Sequence, residues 1–101
     1  MQYPNATKIV VDWCTIKSEG DFYDIVLSQC DAPKWHGRNL NALFDSWVTG
    51  DINGKGPPYA FAFFALGSTP SILHGFRDSV VGIAHESIRQ NGGSFIQGTE
   101  N

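Results

Sequence analysis

The feature that most limits how this chain can fold is a run of eight apolar residues, YAFAFFAL, at positions 59–66. An apolar run of strand length without polar alternation is typical of a strand that is covered on both faces of a sheet. We therefore predict that residues 59–66 form the central strand. Residues 7–16, TKIVVDWCTI, are rich in β-branched and aromatic side chains and are nearly continuously apolar. They predict a second strand that is also covered on both faces.

Between these two strands, apolar residues recur at helical spacing in two segments. The first segment follows Ser18, an N-cap candidate with Asp21 three residues later as its acidic partner, and ends before Pro33. The second runs from Gly37 through Trp47 and repeats apolar residues at i, i+3, i+4 and i+7. Both segments are predicted to be amphipathic helices, and the apolar stripe of the second consists of Leu40, Leu43, Phe44 and Trp47.

Residues 49–58, TGDINGKGPP, are rich in glycine and proline and predict a loop before the central strand. After that strand, Ser68 or Thr69 is expected to cap a helix whose first residue is Pro70. Glycines at positions 75 and 82 weaken this helix, so one long helix and a broken pair both remain open.

A short last strand is predicted at residues 94–99, SFIQGT. The order of elements is then β, α, α, β, α, β. Strands separated by helices imply a small parallel sheet that is joined by right-handed crossovers. We therefore expect an α/β fold, a three-stranded parallel sheet packed with three to four helices, in one domain spanning residues 1–101.

The composition is that of a folded protein with a mildly acidic charge. Hydrophobic residues make up 42% and charged residues 17% of the chain, a balance far from that of disordered segments. The formal net charge is −3, and residues 18–52 carry six acids against two bases. This charge disfavours direct binding to nucleic acid. The acidic segment fits either a basic protein partner or solvated helix faces.

The sequence shows no signal for export. Residues 1–5 contain no basic stretch followed by an apolar one, and no apolar run approaches the roughly 18 residues of a membrane span. We expect a cytoplasmic protein that does not enter a membrane. Cys14 and Cys30 lack CxxC or metal-type spacing, so we interpret them as reduced core thiols rather than as a disulfide or a ligand pair.

No arrangement of side chains predicts catalysis. A cysteine hydrolase needs an exposed nucleophile beside its base, yet Cys14 falls in a predicted buried strand and Cys30 at the end of an amphipathic helix. The histidines at positions 36, 74 and 85 include no pair at the i, i+4 spacing of helical metal ligands. No glycine-rich phosphate loop joins a strand to a helix. We expect no enzymatic activity, no bound metal and no cofactor.

Residues 31–46, DAPKWHGRNLNALFDS, resemble the signature of the barstar family. In that family an aromatic pair, a glycine, an Asn-Leu and an acidic-Ala-Leu-aromatic-Asp run lead into and form the second helix. The predicted order of elements agrees with the family over most of the chain. The resemblance implies a barstar-like three-stranded parallel sheet packed with helices, and an inhibitor that has no catalytic activity.

The resemblance also implies a partner and a mode of binding. In the family, the second helix and the loop before it enter the phosphate-binding cleft of a toxic ribonuclease and present carboxylates and aromatic rings where RNA would lie. This chain would then be a monomeric immunity protein or antitoxin that binds its cognate ribonuclease 1:1 and protects the producing cell. Carried over residue by residue, the partner-binding candidates are Trp35, Gly37, Asn39, Leu40, Asn41, Phe44, Asp45, Gly50 and Asp51.

Helical geometry gives these candidates partial support that is independent of the family. Asn41 and Asp45 are four residues apart, so they lie on one flank of the apolar stripe, with Arg38 beside them. Phe44 lies at the margin of the stripe, where it is either a core residue or an edge aromatic that also touches a partner.

Two positions depart from the family pattern. The family usually has an acid where this chain has Asn41, and an acidic or neutral residue where it has Arg38. Both changes lower the negative charge of the predicted face. They imply that the partner is not barnase itself, or that affinity depends on other groups. The alternative interpretation is a protein-binding module of the same fold, or an immunity protein against a toxin that is not a nuclease.

Overall fold

The computed structural model describes residues 6–98. Residues 1–5 and Thr99, which was predicted to end the last strand, lie outside the described residues. Within residues 6–98 no helix is both long and apolar enough to cross a bilayer. The regular elements are β1 (Thr7–Asp12), α1 (Glu19–Gln29), α2 (Leu40–Phe44), β2 (Tyr59–Phe64), α3 (His74–Asn91) and β3 (Gly93–Gly98).

The three strands form one parallel sheet in the order β1-β2-β3. In the middle of the sheet, Ile9 of β1 pairs with Phe61 of β2, and Phe61 pairs with Phe95 of β3. The apolar run at residues 59–66 therefore supplies the central strand. This confirms the predicted α/β fold, a three-stranded parallel sheet with three α-helices.

Within residues 6–98 the helices cover one face of the sheet and leave residues of the other face exposed, so the prediction of strands buried on both faces is wrong. Ile9, Val11 and Phe61 belong to the core, together with residues from all three helices. On the opposite face, Val10 and Ile96 are 43% and 57% exposed. A run of apolar residues does not show whether a strand is buried on one face or on both, because exposed apolar residues are common on protein surfaces.

The outer edge of β1 is closed by a side chain of α1. The Gln29 amide accepts a hydrogen bond from the Val10 backbone N–H at 2.6 Å and donates one to the Val10 carbonyl at 2.8 Å. The amide thus pairs with the strand as a neighbouring strand would. Because open edges promote aggregation, this contact protects β1 and fixes the end of α1 against it.

Aromatic rings connect the helical layer to the sheet. The Trp47 ring lies 4.9 Å from that of Phe61 and 6.2 Å from that of Phe22, measured between centroids. Trp47 and Phe22 are fully buried, and Phe61 is nearly so. Such pairs stabilise beyond the area that they bury. The segment that contains Trp47 is therefore anchored to both β2 and α1.

The first helix begins as predicted. The Ser18 hydroxyl accepts a hydrogen bond from the Asp21 backbone N–H at 3.1 Å, and the Asp21 carboxylate accepts one from the backbone N–H of Lys17 at 2.9 Å. The chain then leaves the helix after Gln29, before Pro33, as expected.

The third helix is one continuous element, but its predicted cap is wrong. Residues Ser71–Leu73 form a 3₁₀ turn after Pro70, and α3 then begins at His74 without a capping side chain. The Thr69 hydroxyl instead donates to the Leu66 carbonyl at 2.8 Å. The 3₁₀ turn therefore occupies the residues that were predicted to form the start of the helix.

Strand β1 ends earlier than predicted, and this changes the environment of Cys14. After Asp12 the chain turns through a 3₁₀ segment, Trp13–Thr15, in which Trp13 is buried and Cys14 is exposed. The interpretation of Cys14 as a core thiol is therefore wrong, whereas Cys30 is buried as predicted. The Asp12 carboxylate starts the turn by accepting from the Cys14 backbone N–H.

We expect the burial of Cys30 to make the fold sensitive to alkali. Burial raises the pKa of the Cys30 thiol from 9.0 to about 11. Between these values the unfolded chain loses the thiol proton while the folded chain keeps it, so the free energy of unfolding should fall by up to about 1.4 kcal/mol per pH unit. Urea denaturation at pH 8, 9 and 10 measures this slope.

A Cys30→Ala variant is the control, because it should remove the part of the decline between pH 9 and 10 that comes from the thiol. Burial also raises the pKa values of Tyr23 and Tyr59, from 10.0 to about 12. Their destabilising effect sets in as the pH approaches 10 and is the same in both proteins, so the difference between the two slopes isolates the contribution of Cys30. An equal decline in the parent and in Cys30→Ala would contradict the assignment.

Candidate protein-binding site

The loop before α2 is held by His36 and leaves Trp35 in solvent. The His36 backbone N–H donates to the Pro33 carbonyl at 3.0 Å, and the His36 ring Nδ1 lies 2.6 Å from the Gly37 carbonyl. Because a carbonyl only accepts, Nδ1 is the protonated ring nitrogen here. His36 is buried, whereas Trp35 is 74% exposed. The buried imidazole thus supports a loop that presents a large aromatic side chain.

The second helix begins at Leu40, three residues later than predicted, because Asn39 is its N-cap. The Asn39 side-chain carbonyl accepts a hydrogen bond from the Ala42 backbone N–H at 2.8 Å. This bond uses the side-chain oxygen of Asn39 and leaves its amide group for other contacts. Gly37 is packed closely against the cap, since a Cβ atom there would lie 3.0 Å from both the Ala42 Cβ and the Asn39 Nδ2.

The exposed face of α2 combines polar and aromatic side chains. The Asp45 backbone N–H donates to the Asn41 carbonyl, which fixes these residues one turn apart, and both are exposed. Phe44 is 40% exposed and is therefore an edge aromatic rather than a core residue. Leu40 is half-buried against the core. The structure brings Asn41, Phe44 and Asp45 together on one surface.

The chain after α2 widens into a π-helical turn, Asp45–Thr49, which we call the π turn. It closes through a hydrogen bond from the Gly50 N–H to the Asp45 carbonyl at 3.0 Å. Gly50 has φ +85° and Asp51 has φ +67°. Glycine accepts such a conformation at little cost. The turn therefore brings the Gly50 backbone to the carbonyl of Asp45, with Asp51 as the next residue, although both fall in the loop predicted for residues 49–58.

Two residues of α3 support the π turn, and the sequence analysis missed both. The Ser87 hydroxyl donates to the Trp47 carbonyl at 2.7 Å, and the Asn91 side-chain amide donates to the Val48 carbonyl at 2.8 Å. Ser87 is fully buried. It lies seven residues after Val80, on the buried stripe of the helix. A polar residue within that stripe is the signal that could have identified it.

The side chain of Arg38 is bound to α1. Its guanidinium donates to the Asp24 carboxylate at 2.7 Å and to the Gly20 carbonyl at 2.9 Å. It also lies 5.8 Å from the centroid of the Tyr23 ring. The charge of Arg38 is thus paired with Asp24, and its effect on the acidic surface beside Asn41 stays a prediction.

Among the described residues, the two acids of the candidate site are not paired in this way. Within residues 6–98 the ion pairs are Arg38–Asp24, Arg77–Asp78 and Arg89–Glu86, so Asp45 and Asp51 take part in none of them. Both acids are exposed. No cluster of three or more metal-binding side chains occurs in the part of the chain that the structure describes. The site therefore offers unpaired carboxylates and exposed aromatic rings to a partner.

Comparison with known proteins finds one family. The family model described as Barstar (barnase inhibitor) matches residues 6–68 of the chain. These residues run from β1 through α1, the loop, α2, the π turn and β2, and they contain every candidate residue of the site. No curated protein matches the chain.

Proposed function

Because the chain belongs to the barstar family, we propose that it inhibits a ribonuclease by placing α2 and the preceding loop in the active-site cleft of the enzyme. The family is one of barnase inhibitors, so the chain is a barnase-inhibitor-like protein. The observations that carry the proposal are that Trp35, Phe44 and Asp45 are exposed and that Asp45 forms no ion pair within residues 6–98, while the neighbouring His36, Leu43 and Trp47 are buried.

The chemistry of this surface fits the cleft of a ribonuclease. Such a cleft must carry cationic side chains to hold the phosphates of RNA. A carboxylate inserted there gains charge-assisted hydrogen bonds and occupies the place of a phosphate. Exposed aromatic rings add contact area, since aromatic residues are enriched among the residues that dominate binding energy. Asp45 supplies the charge, with Trp35 and Phe44 as the aromatic contacts.

Rigid support of the surface favours tight binding. Asn39 caps α2, Gly50 closes the π turn on Asp45, and Leu43 and Trp47 are buried beneath them. Side chains that are already ordered lose less conformational entropy when they bind. We infer competitive inhibition in a 1:1 complex, without chemistry by the inhibitor, in a protein that serves as an immunity protein or antitoxin.

Steady-state inhibition of a panel of small basic ribonucleases, barnase among them, tests the proposal. With increasing inhibitor, the apparent KM for RNA should rise while kcat stays constant. The association rate should fall as NaCl is raised, because part of it comes from attraction between acidic and basic surfaces. If no ribonuclease is inhibited and the chain instead protects against a toxin of another class, the proposed function is wrong.

A further inference from the structure

We propose that Ser87 and Asn91 of α3 are positioning residues for Asp45, and that they set the affinity for the partner without touching it. This inference rests on the proposed function, since it assigns to α3 a role in presenting the acid that enters the cleft. The observation behind it is that these two side chains hold the π turn in which Asp45 is the first residue.

The π turn needs support from outside. The last carbonyl groups of any helix lack partners within the helix, and this helix ends at Thr49. The Trp47 carbonyl accepts from the Ser87 hydroxyl at 2.7 Å, and the Val48 carbonyl accepts from the Asn91 amide at 2.8 Å. Two successive carbonyls at the end of the turn are therefore satisfied by α3.

Both donors come from one rigid element. Ser87 and Asn91 are four residues apart and so lie on the same side of α3. The hydroxyl of Ser87 is fully buried, and a hydrogen bond is electrostatically stronger in such surroundings than in water. The two contacts therefore fix both the position and the rotation of the π turn relative to α3.

The fixed turn determines the backbone position from which the Asp45 carboxylate extends. The Asp45 carbonyl is bonded to the Gly50 N–H at 3.0 Å, so the two ends of the turn move together. Within residues 6–98, the Asp45 side chain takes part in no ion pair that could orient it from outside. The backbone of the turn therefore sets the position of its Cβ and the rotamers that are open to its carboxylate. Wide helical turns of this kind occur frequently at functional sites.

A double-mutant cycle separates positioning from general stability. We would measure the affinity for barnase, as the probe, of the parent, of Ser87→Ala/Asn91→Ala, of Asp45→Ala and of the triple variant. The α3 double variant should bind about tenfold more weakly than the parent. In the Asp45→Ala background the same change should cost less than twofold, because the group that it positions is absent.

Hydrogen exchange in the free protein tests the same inference without a partner. In the α3 double variant, the Gly50 amide should exchange at least tenfold faster, because its bond to Asp45 closes the π turn. Amides of β2, such as that of Phe61, should exchange as in the parent. Ser79→Ala/Gln90→Ala, which changes two exposed residues of the same helix, is the matched control and should leave both readouts unchanged.

The inference is overturned by either of two results. One is a Gly50 amide that exchanges at the parental rate, or that accelerates only together with the amides of β2. The other is an equal loss of affinity in the presence and absence of Asp45. If the parent binds no ribonuclease, the proposed function fails, while the exchange data still decide whether Ser87 and Asn91 hold the turn.

Discussion

Replacement of Leu43 by alanine is expected to lower the free energy of unfolding by about 2–5 kcal/mol, as large-to-small changes in a core do. Leu43 is fully buried within the core that α2 shares with β2 and α1. Alanine would remove the apolar contacts and leave a cavity, because the surrounding aromatic rings cannot all move inward. Urea denaturation monitored by circular dichroism gives the change, with an unchanged m value showing that the transition remains two-state.

Ile72→Ala is the matched control for this measurement. Ile72 is 87% exposed in the 3₁₀ turn before α3, so the same kind of truncation should change the free energy of unfolding by less than about 0.5 kcal/mol. A loss below about 1 kcal/mol for Leu43→Ala would mean that the stripe of α2 faces solvent. The orientation of Asp45 derived from that stripe would then be wrong as well.

The overall fold could be predicted because the apolar pattern and the turn residues indicate the same order of strands and helices along the chain. The run at residues 59–66 and the helical spacing of Leu40, Leu43 and Trp47 both report which residues avoid water. These signals give the order of elements and the central strand. They do not report which face of a sheet lies open, because Val10 and Ile96 are apolar and exposed.

Local backbone geometry was harder to predict. The sequence analysis treats residues 37–47 as one regular helix, whereas the chain caps α2 at Asn39 and widens at Asp45 into the π turn. A π turn depends on how its carbonyls are satisfied, here by Ser87 and Asn91, which are about forty residues away along the chain. No local periodicity contains that information.

The candidate site was predictable from the motif rather than from physical pattern alone. The segment 31–46 named the loop and α2, and the structure joins Gly50 to them through its hydrogen bond to the Asp45 carbonyl. The partner of Arg38 could not be predicted from the sequence, because Asp24 lies on α1 and Arg38 lies in the loop before α2. Long-range pairings of this kind follow from tertiary packing, which single-sequence reasoning does not reach.

We expect Asp45→Ala to have the largest effect on binding of any substitution at the exposed face. Asp45 is an exposed acid outside the ion pairs of residues 6–98, so its charge is available to the cationic groups of a ribonuclease cleft. Once buried in the complex, its carboxylate accepts hydrogen bonds from the cationic side chains that otherwise hold phosphate. Loss of one partner of such a pair costs about 2–5 kcal/mol, and the coupling energies of about 1.5–7 kcal/mol between close charges of barnase and barstar bracket this range.

This free energy corresponds to a loss of roughly 30-fold to several thousand-fold in affinity. The fold should tolerate the change, because Asp45 is exposed, and the free energy of unfolding should move by less than about 0.5 kcal/mol. Isothermal titration of the inhibited ribonuclease with the parent and with Asp45→Ala measures the loss, alongside protection of RNA from cleavage.

Asp78→Ala is the matched control, because Asp78 is an exposed acid in the first half of α3, away from Ser87 and Asn91. Both variants raise the net charge by one unit, so they weaken long-range attraction about equally. Only Asp45→Ala removes a carboxylate from the predicted contact, so it should increase the dissociation rate, whereas Asp78→Ala should at most slow association. Equal affinities of the two variants would show that the partner binds a different face of the molecule.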